Sequence, residues 1–374
     1  MIFGVPKEIM ANEYRVGLTP TGTRQLILAG HQVVFEAGCG KDSGFQDQEY
    51  LDAGATIAYS REEVFGRADF IAKIKNPTPE EYSIIPDGKI IGAFAHLLLA
   101  PLSLIDTYLE KRITAICYEE MVERGIAPLR VPASEIGGRM TPQIAARFME
   151  TESGGRGKLL MGIPGVPAAT VAIIGCGVFG YHSALSFHNL GINVIVLDRS
   201  IEKLRQIDRD FQGHIDTMMS NETNIQKVLS FSDVVITAAH IPGQLAPKLV
   251  TREMLKKMIP RSLIIDAAID QGGNCETSRP TTLRDPVFVV DEVLHYCVPN
   301  MTSNVSRTAS RAHSNVLVPI LQRLASFTNI EEAVEKDELF RSGAYVVNGK
   351  VVNPMLSEIL ESKKSSARAK QEET

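Results

Sequence analysis

Short apolar runs alternate with amphipathic stretches along most of the chain. Runs typical of buried strands predict strands at Ile2–Val5, Gln32–Glu36, Phe70–Lys75, Lys89–Phe94 and Ile113–Tyr118. Between the first two runs, Pro20 and Gly30 stand where a helix would begin and end. Strands that alternate with helices in this way predict a parallel sheet with helices on both faces.

The same alternation starts again at Thr170 and continues for more than a hundred residues. Further strands are predicted near Asn193–Leu197, Asp233–Ala238, Ser262–Asp266 and Val287–Val290, and helical patterns cover about 134–149 and 303–327. We therefore predict an α/β fold with two Rossmann-like, doubly wound parallel-sheet domains joined by long helices. The predicted domains are residues 131–304 and a discontinuous domain of residues 1–130 plus 305–374.

Composition narrows the class of protein. A chain of 374 residues is long enough for two cores, and its 44% hydrophobic and 22% charged residues are typical of soluble proteins. The net charge of -5 gives no electrostatic reason to expect nucleic acid or an anionic membrane as a partner. The longest apolar run, Ile90–Ile105, is too short to span a bilayer.

Location follows from the cysteines and the start of the chain. No signal-type segment precedes the strand at Ile2, and the five cysteines are scattered without metal-type spacing. We therefore expect a cytoplasmic protein with reduced thiols and no metal site. The polar tail from Glu361 to Thr374 is expected to be frayed.

The second predicted domain opens on an apolar run that breaks into Gly175-Cys176-Gly177-Val178-Phe179-Gly180. A G-x-G-x-x-G turn between a strand and a helix is typical of dinucleotide binding, since the glycines permit a tight turn, close approach of a pyrophosphate and helix packing. The helix N-terminus offers free N–H groups to the phosphates. Asp198 ends the next apolar run, where it would accept hydrogen bonds from ribose hydroxyls.

Four polar residues stand near predicted strand ends or in loops: Lys75, His96, Arg15 and Asp270. Each also has a plainer interpretation: a solvated strand face for Lys75, a core histidine, a surface ion pair for Arg15, and a turn-holding Asp270. Together they suit an amino or keto acid. An arginine fork binds its carboxylate, a lysine ammonium polarises a carbonyl or imine, and a histidine moves protons near neutral pH.

At these residues the sequence resembles the alanine dehydrogenase family, which is related to the NAD-binding part of proton-translocating transhydrogenases. The resemblance covers nearly the whole chain. It rests on ordered blocks at residues 4–8, 12–16, 73–75, 96–97, 134–139, 154–157, 165–167, 175–180, 198, 246–250, 269–273, 278–282, 295–298 and 300–301.

The resemblance implies NAD-dependent interconversion of L-alanine with pyruvate and ammonia, usually in a homohexamer. It implies that Arg15 and Lys75 bind the substrate, that His96 is the catalytic acid and base, and that Asp270 lies between the substrate and the nicotinamide ribose. It further implies an NAD site lined by Ser134, Gly175, Gly177, Val178, Gly180, Asp198, Lys203, Ser220, Asp270 and Met301.

The sequence departs from the family pattern at Asn76, Ala95, Thr302 and residues 306–310. Asn76 removes an acid beside Lys75, and Ala95 leaves more room beside His96, so another small 2-oxo acid is an alternative substrate. Arg199, next to Asp198, leaves NADP open as the cofactor. A transhydrogenase subunit, a catalytically silent NAD-binding homologue and a saccharopine dehydrogenase are the alternatives of other kinds.

Overall fold

The computed structural model describes residues 1–241 and 244–362, which form two compact units. The first unit contains Met1–Ala133 and the chain from Ser303 onward, and the second contains Ser134–Thr302. The described residues form these strands: β1 Ile2–Val5, β2 Gln32–Glu36, β3 Thr56–Ala58, β4 Phe70–Ala72, β5 Ile90–Ala93, β6 Thr114–Cys117, β7 Thr170–Ile174, β8 Asn193–Asp198, β9 Asp216–Met219, β10 Val234–Thr237, β11 Leu263–Asp266, β12 Val287–Val290, β13 Val293–Tyr296, β14 Ala344–Val347 and β15 Lys350–Val351.

The helices flank these strands and follow the same chain order. They are α1 Pro20–Leu28, α2 Asp47–Asp52, α3 Arg61–Arg67, α4 Pro79–Tyr82, α5 Leu102–Glu110, α6 Arg130–Phe148, α7 Val178–Asn189, α8 Ile201–Asp210, α9 Glu222–Leu229, α10 Arg252–Leu255, α11 Ser306–Ala325, α12 Ile330–Lys336, α13 Glu338–Gly343 and α14 over 354–362.

The first unit is built on one eight-stranded sheet with the order β15-β14-β6-β5-β4-β1-β2-β3. Strands β1 to β6 are parallel to one another, whereas β14 pairs antiparallel with both β6 and β15. Helix α11 packs on this sheet, because Leu317 and Leu321 are buried in the same core as Phe3 and Leu18. The segment after Ser303 is therefore an integral part of this unit.

The second unit is built on a seven-stranded sheet with the order β12-β13-β11-β10-β7-β8-β9. All neighbouring strands are parallel except β12, which pairs antiparallel with β13. Chain order reverses between β7 and β10, as it does between β1 and β4 in the first unit. Doubly wound sheets bind ligands beyond the carboxyl ends of the strands at such a reversal.

The predicted fold class is confirmed, with a correction to the sheets. Neither sheet is wholly parallel, because two tight hairpins add antiparallel strands at the edges. The turn between β12 and β13 is Asp291-Glu292, and that between β14 and β15 is Asn348-Gly349. All four residues have positive φ, as two-residue hairpin turns require.

Several element boundaries also differ from the prediction, and two of them have a clear physical reason. The strand expected over Phe70–Lys75 ends at Ala72, since the N–H of Ile74 donates to the Glu8 carboxylate instead of continuing a regular ladder. The helix expected over 134–149 begins at Arg130 and includes Pro132 in its first turn, where proline is tolerated. In the tail, Glu361 and Ser362 belong to α14 rather than to a frayed end, and 363–374 lie outside the described residues.

Candidate functional site

At the switch point of the first unit, polar residues follow the ends of three strands, and the predicted Lys75 and His96 are among them. Glu8 follows β1, Lys73 and Lys75 follow β4, and His96 follows β5. The strands β1, β4 and β5 are adjacent and parallel, so their carboxyl ends lie on one edge of the sheet. This edge is where a doubly wound sheet binds its ligand.

Lys73 is fully buried, so the solvated strand face considered for this segment is wrong at that position. Its ammonium lies 3.0 Å from Glu81 Oε1 and 3.3 Å from Glu8 Oε2. Burial alone would lower the pKa of Lys73, but the two carboxylates raise it above its ordinary value, so the lysine is charged. The same Glu8 carboxylate accepts the Ile74 N–H at 2.5 Å, which fixes the backbone that leads to Lys75.

Lys75 is the cation of this segment that remains unused. It is half-buried, and within residues 1–241 and 244–362 its ammonium has no hydrogen bond or ion pair. The next residue, Asn76, donates from Nδ2 to the carbonyl oxygen of Ala95 at 2.5 Å and so joins the segments that follow β4 and β5. The structure thus supports the backbone around Lys75 but leaves its charge for a ligand.

Arg15 is buried and forms a fork with Glu13. Nε donates to Glu13 Oε1 at 2.7 Å and Nη2 donates to Oε2 at 2.6 Å. Burial raises the pKa of Glu13, but Arg15 and then Lys75 lower it below its ordinary value overall. The surface ion pair considered for Arg15 is therefore a buried pair, and Lys75 is near enough to act on the same carboxylate.

Helix α11 and the preceding turn hold the Arg15 segment in place. Three serines accept backbone N–H groups from it: Ser303 from Tyr14 at 2.8 Å, Ser310 from Val16 at 3.0 Å and Ser314 from Thr19 at 3.2 Å. All three serines are buried. Because these are long-range contacts with small polar side chains, no pattern in the sequence predicted them.

His96 stands on a strained backbone that Glu119 supports. Its φ is +41°, a region that non-glycine residues seldom adopt. Glu119 Oε1 accepts the His96 N–H at 2.5 Å, and Oε2 accepts the Ala95 N–H at 3.0 Å. The ring is 27% exposed, with Nδ1 3.8 Å from Glu119 Oε1. This is a partly accessible imidazole rather than the core histidine considered as the alternative.

A second histidine of the first unit, His313, was not predicted from the sequence. It is buried on α11 against Phe94 and Tyr118, with ring centroids 5.5 and 5.3 Å apart. Within the described residues, neither ring nitrogen has a hydrogen-bond partner. Burial, and then the charge of Arg15, lowers the pKa of His313 to about 3, so this ring is neutral.

In the second unit the glycine turn has the geometry that the motif predicts. Gly175 has φ +103°, and a Cβ on Gly180 would lie 1.9 Å from the carbonyl oxygen of Gly175. At Gly177, in contrast, a Cβ would meet nothing within 4 Å. Helix α7 begins directly afterwards at Val178. The turn is thus packed on its protein side and open at Gly177, which suits a pyrophosphate at the helix N-terminus.

Asp198, the last residue of β8, contacts the glycine turn from the neighbouring strand. Its carboxylate accepts the N–H groups of Cys176 at 2.7 Å and Ser200 at 2.8 Å, and Lys203 Nζ lies 3.8 Å away. The backbone N–H of Ser220 donates to the Asp198 carbonyl at 2.9 Å. The structure therefore brings Asp198, Lys203 and Ser220 together around the turn, and these residues fit a dinucleotide.

The remaining predicted residues lie elsewhere in this unit. Ser134 is half-buried in α6, Met301 is buried where a short 3-10 helix begins, and Asp270 is half-buried in the turn Ile269–Gln271. Among the described residues, no hydrogen bond joins their side chains to the glycine turn, and no cluster of three or more His, Cys, Asp or Glu side chains suits a metal ion.

Comparisons with known proteins agree with this arrangement. Residues 4–136 match the family model "Alanine dehydrogenase/PNT, N-terminal domain", and residues 141–354 match "Alanine dehydrogenase/PNT, C-terminal domain". The alanine dehydrogenase of Bacillus subtilis (strain 168) is 43% identical over 352 residues, which cover 94% of this chain and 92% of that protein. That of Methanococcus maripaludis is 40% identical over 94% of each chain.

Solved structures extend the likeness to the whole fold. An L-alanine dehydrogenase superposes with a TM-score of 0.91 at 36% identity, covering 97% of this chain and 99% of that one. A transhydrogenase from Sinorhizobium meliloti gives a TM-score of 0.79 at 27% identity, covering 95% and 99%. No helix in the described part of the chain is long and apolar enough to cross a membrane. The chain belongs to the alanine dehydrogenase/PNT family.

Proposed function

We propose that this chain is an NAD-dependent L-alanine dehydrogenase, which interconverts L-alanine with pyruvate and ammonia. The observation that carries the proposal is the group of Lys75, Arg15 and His96 in the first unit: two cations near one carboxylate and a partly exposed imidazole. A small 2-oxo acid needs this combination, whereas hydride exchange between two nucleotides does not.

The two units take different tasks in this proposal. Residues 1–130 with 305–374 form the substrate domain, and residues 131–304 form the NAD-binding domain. The open Gly177, the helix start at Val178 and the carboxylate of Asp198 support a dinucleotide in the second unit. Family membership and this turn indicate a nicotinamide cofactor. The charge of Asp198 favours NAD, because it would repel a 2′-phosphate.

Substrate binding is assigned to the two cations. Arg15 uses its fork on Glu13 to keep a fixed orientation. Lys75 supplies an ammonium that forms no ion pair with a carboxylate in the described part of the chain. Both therefore bind the carboxylate of alanine or pyruvate, and Lys75 also polarises the C2 oxygen of pyruvate. Arg15 is buried and Lys75 is half-buried, so their electrostatic attraction to a carboxylate is less screened than it would be in bulk water.

Proton transfer is assigned to His96. Bound in the second unit, a nicotinamide cofactor would supply the hydride acceptor for oxidation and the hydride donor for reduction. In the oxidative direction the neutral amine becomes an iminium, water adds at its carbon, and His96 takes the proton from that water. His96 then gives this proton to the nitrogen, the carbon–nitrogen bond breaks, and the remaining hydroxyl proton passes to His96 as the C2 carbonyl forms, so that pyruvate and ammonia leave. Asp270 is assigned as the second proton-transfer residue.

The test is an assay of the purified chain alone. With pyruvate, ammonium and NADH, we expect NADH to be consumed. The reverse reaction, with alanine and NAD, should be faster in alkaline than in neutral buffer, because the amine of alanine must first lose a proton. His96→Ala should reduce turnover by about 100-fold or more and leave NADH binding close to normal. Wild-type turnover in this variant would overturn the assignment of His96.

The alternatives give different results in the same assay. A chain that prefers another 2-oxo acid, for which Ala95 leaves room, would be faster with a larger acid than with pyruvate. A transhydrogenase subunit would bind NADH but consume it only with a second nucleotide-binding protein. A silent homologue would bind NADH and consume none under either condition.

Assembly and location complete the proposal. We propose a homohexamer in the cytoplasm that acts in amino-acid catabolism. Leu159, Ile163 and Val166 are more than half exposed on one short segment of the second unit, which supports association between copies. All five cysteines are free and buried, which supports a reducing compartment. Light scattering after gel filtration would give the subunit number.

A further inference from the structure

The loop after β11 carries Asp270 and is fixed from its inner side by Asp266. This aspartate ends β11 and is fully buried. Its carboxylate accepts four groups of the loop: the N–H of Ala268 at 3.1 Å, of Asn274 at 2.8 Å and of Cys275 at 3.3 Å, and the Ser278 hydroxyl at 2.6 Å. Both ends of the turn that contains Asp270 are thus bound to one side chain.

The outer side of the same loop is fixed by Lys248. Its ammonium donates to the carbonyl oxygens of Gly272 at 2.6 Å, Gly273 at 2.9 Å and Cys275 at 3.1 Å. These three bonds use all the donors that a lysine has, and each is strengthened by its charge. Lys248 therefore has no donor left for a ligand.

Two consecutive glycines allow the chain to pass between these side chains. Gly272 and Gly273 have φ of +95° and +78°, in the left-handed region that glycine tolerates best. A Cβ on Gly273 would lie 2.7 Å from Asp266 Oδ2. The backbone is therefore closely packed against Asp266 and exposes its carbonyl oxygens to Lys248.

Asp270 itself takes no part in these contacts. Its side chain is half-buried, and within the described ranges it has no hydrogen bond or ion pair. An aspartate that merely held the turn would accept backbone N–H groups, as Asp266 does. The polar contacts that fix this loop leave its one functional carboxylate unused.

We propose that Lys248 and Asp266 are positioning residues that fix the turn of Asp270 and so hold its carboxylate in one orientation. The inference rests on the proposed function for the role of Asp270. It adds two residues that act through the loop backbone and touch neither substrate nor cofactor. Reaction rates depend steeply on such placement, since a displacement of about 1 Å can cost about 100-fold.

Lys248 is the better residue to change, because it is exposed whereas Asp266 is buried. Lys248→Met keeps the stem and removes the ammonium. Lys256→Met is the matched control, because Lys256 is also an exposed lysine of the second unit and its ammonium pairs with Glu253 at 2.7 Å rather than with the loop carbonyls. We expect Lys248→Met to lower kcat by about tenfold or more, with KM for pyruvate and the melting temperature near those of the control.

A double-mutant cycle with Asp270→Asn separates positioning from a general structural effect. If Lys248 acts through Asp270, the double variant should be as slow as Asp270→Asn alone, because the group to be positioned is already lost. Losses that multiply would overturn the proposal. A kcat for Lys248→Met equal to that of Lys256→Met would also overturn it.

Hydrogen exchange of the peptide that covers 268–278 gives a readout independent of activity. We expect faster exchange in Lys248→Met than in Lys256→Met, and equal exchange would contradict the role of Lys248 as a support of the loop. If the wild-type chain consumes no NADH with pyruvate and ammonium, the proposed function fails, while the exchange data still decide whether Lys248 fixes the loop.

Discussion

The Glu119 carboxylate binds the backbone of His96, with Oε1 2.5 Å from the His96 nitrogen. The other oxygen accepts the N–H of Ala95 at 3.0 Å, so one side chain fixes two consecutive peptide groups. Because His96 has a positive φ, which is unfavourable for a non-glycine residue, these two hydrogen bonds stabilise a strained backbone conformation. Glu119 thus determines where the imidazole stands.

Glu119→Gln tests this relationship. A carboxamide has one oxygen and one NH₂ group, so one of the two backbone N–H groups would face a donor and lose its bond. We expect kcat to fall by about tenfold to about 100-fold while KM for pyruvate changes little. Glu110→Gln, an exposed residue of the first unit, is the control and should behave as the wild type. Equal rates in the two variants would contradict the role of Glu119.

Arg15→Lys tests whether the fork on Glu13 matters for substrate binding. A lysine keeps the charge but cannot make two parallel bonds to Glu13 and still present a planar donor group. We expect KM for pyruvate to rise by at least about tenfold, which corresponds to about 1.4 kcal/mol, with a smaller change in kcat. Steady-state kinetics at saturating NADH and ammonium measure both. An unchanged KM would exclude Arg15 from carboxylate binding.

His313→Leu tests the cost of the buried neutral histidine. Both ring nitrogens lack hydrogen-bond partners in the part of the chain that the structure describes, so an apolar side chain should be tolerated and should stabilise the fold near neutral pH or leave it unchanged. The pKa of His313 falls from 6.5 to about 3 on folding, so the unfolded chain binds a proton that the folded chain refuses. The wild type therefore loses stability as pH falls from 6.5 toward 3.

The pH dependence of the difference is the sharper measurement. Between pH 7.5 and pH 5 we expect the advantage of His313→Leu in unfolding free energy to grow by about 2 kcal/mol. Urea unfolding of both proteins at the two pH values gives this number. A constant difference would show that His313 titrates normally in the folded protein.

Asp198→Ser tests the choice of cofactor. The substitution removes the negative charge at the end of β8, where a 2′-phosphate would lie, while Arg199 and Lys203 remain. We expect the ratio of kcat/KM for NADPH to that for NADH to rise by about tenfold or more, the effect of about 1.4 kcal/mol. Asp208→Asn, an exposed residue of α8, is the control. An unchanged ratio would remove Asp198 from cofactor discrimination.

Local patterns in the sequence were sufficient for the fold and for the glycine turn. The strand around Thr170, the turn at Gly175 and the acid at Asp198 follow one another closely, so their geometry depends on short-range rules. The Asn348-Gly349 pair is also a recognised hairpin signal, and it would have predicted the antiparallel edge that the parallel pattern missed.

Local sequence patterns could not predict the residues that support the candidate site. Glu8 and Lys73 are 65 positions apart, and Tyr14 and Ser303 are 289 apart. Their contacts depend on sheet order and on where α11 packs, which periodicity does not specify. The alternating run around Lys73 also predicts an exposed lysine, because the two carboxylates that allow its burial lie on other elements and leave no local signal.

The proposed reaction is tested most directly by identifying the product that the purified chain forms from pyruvate, ¹⁵N-ammonium and NADH. We expect L-[¹⁵N]alanine in a one-to-one ratio with the NADH consumed, and almost none from the His96→Ala protein at equal concentration. NADH oxidation without labelled alanine, or labelled alanine at the same rate from His96→Ala, would contradict it.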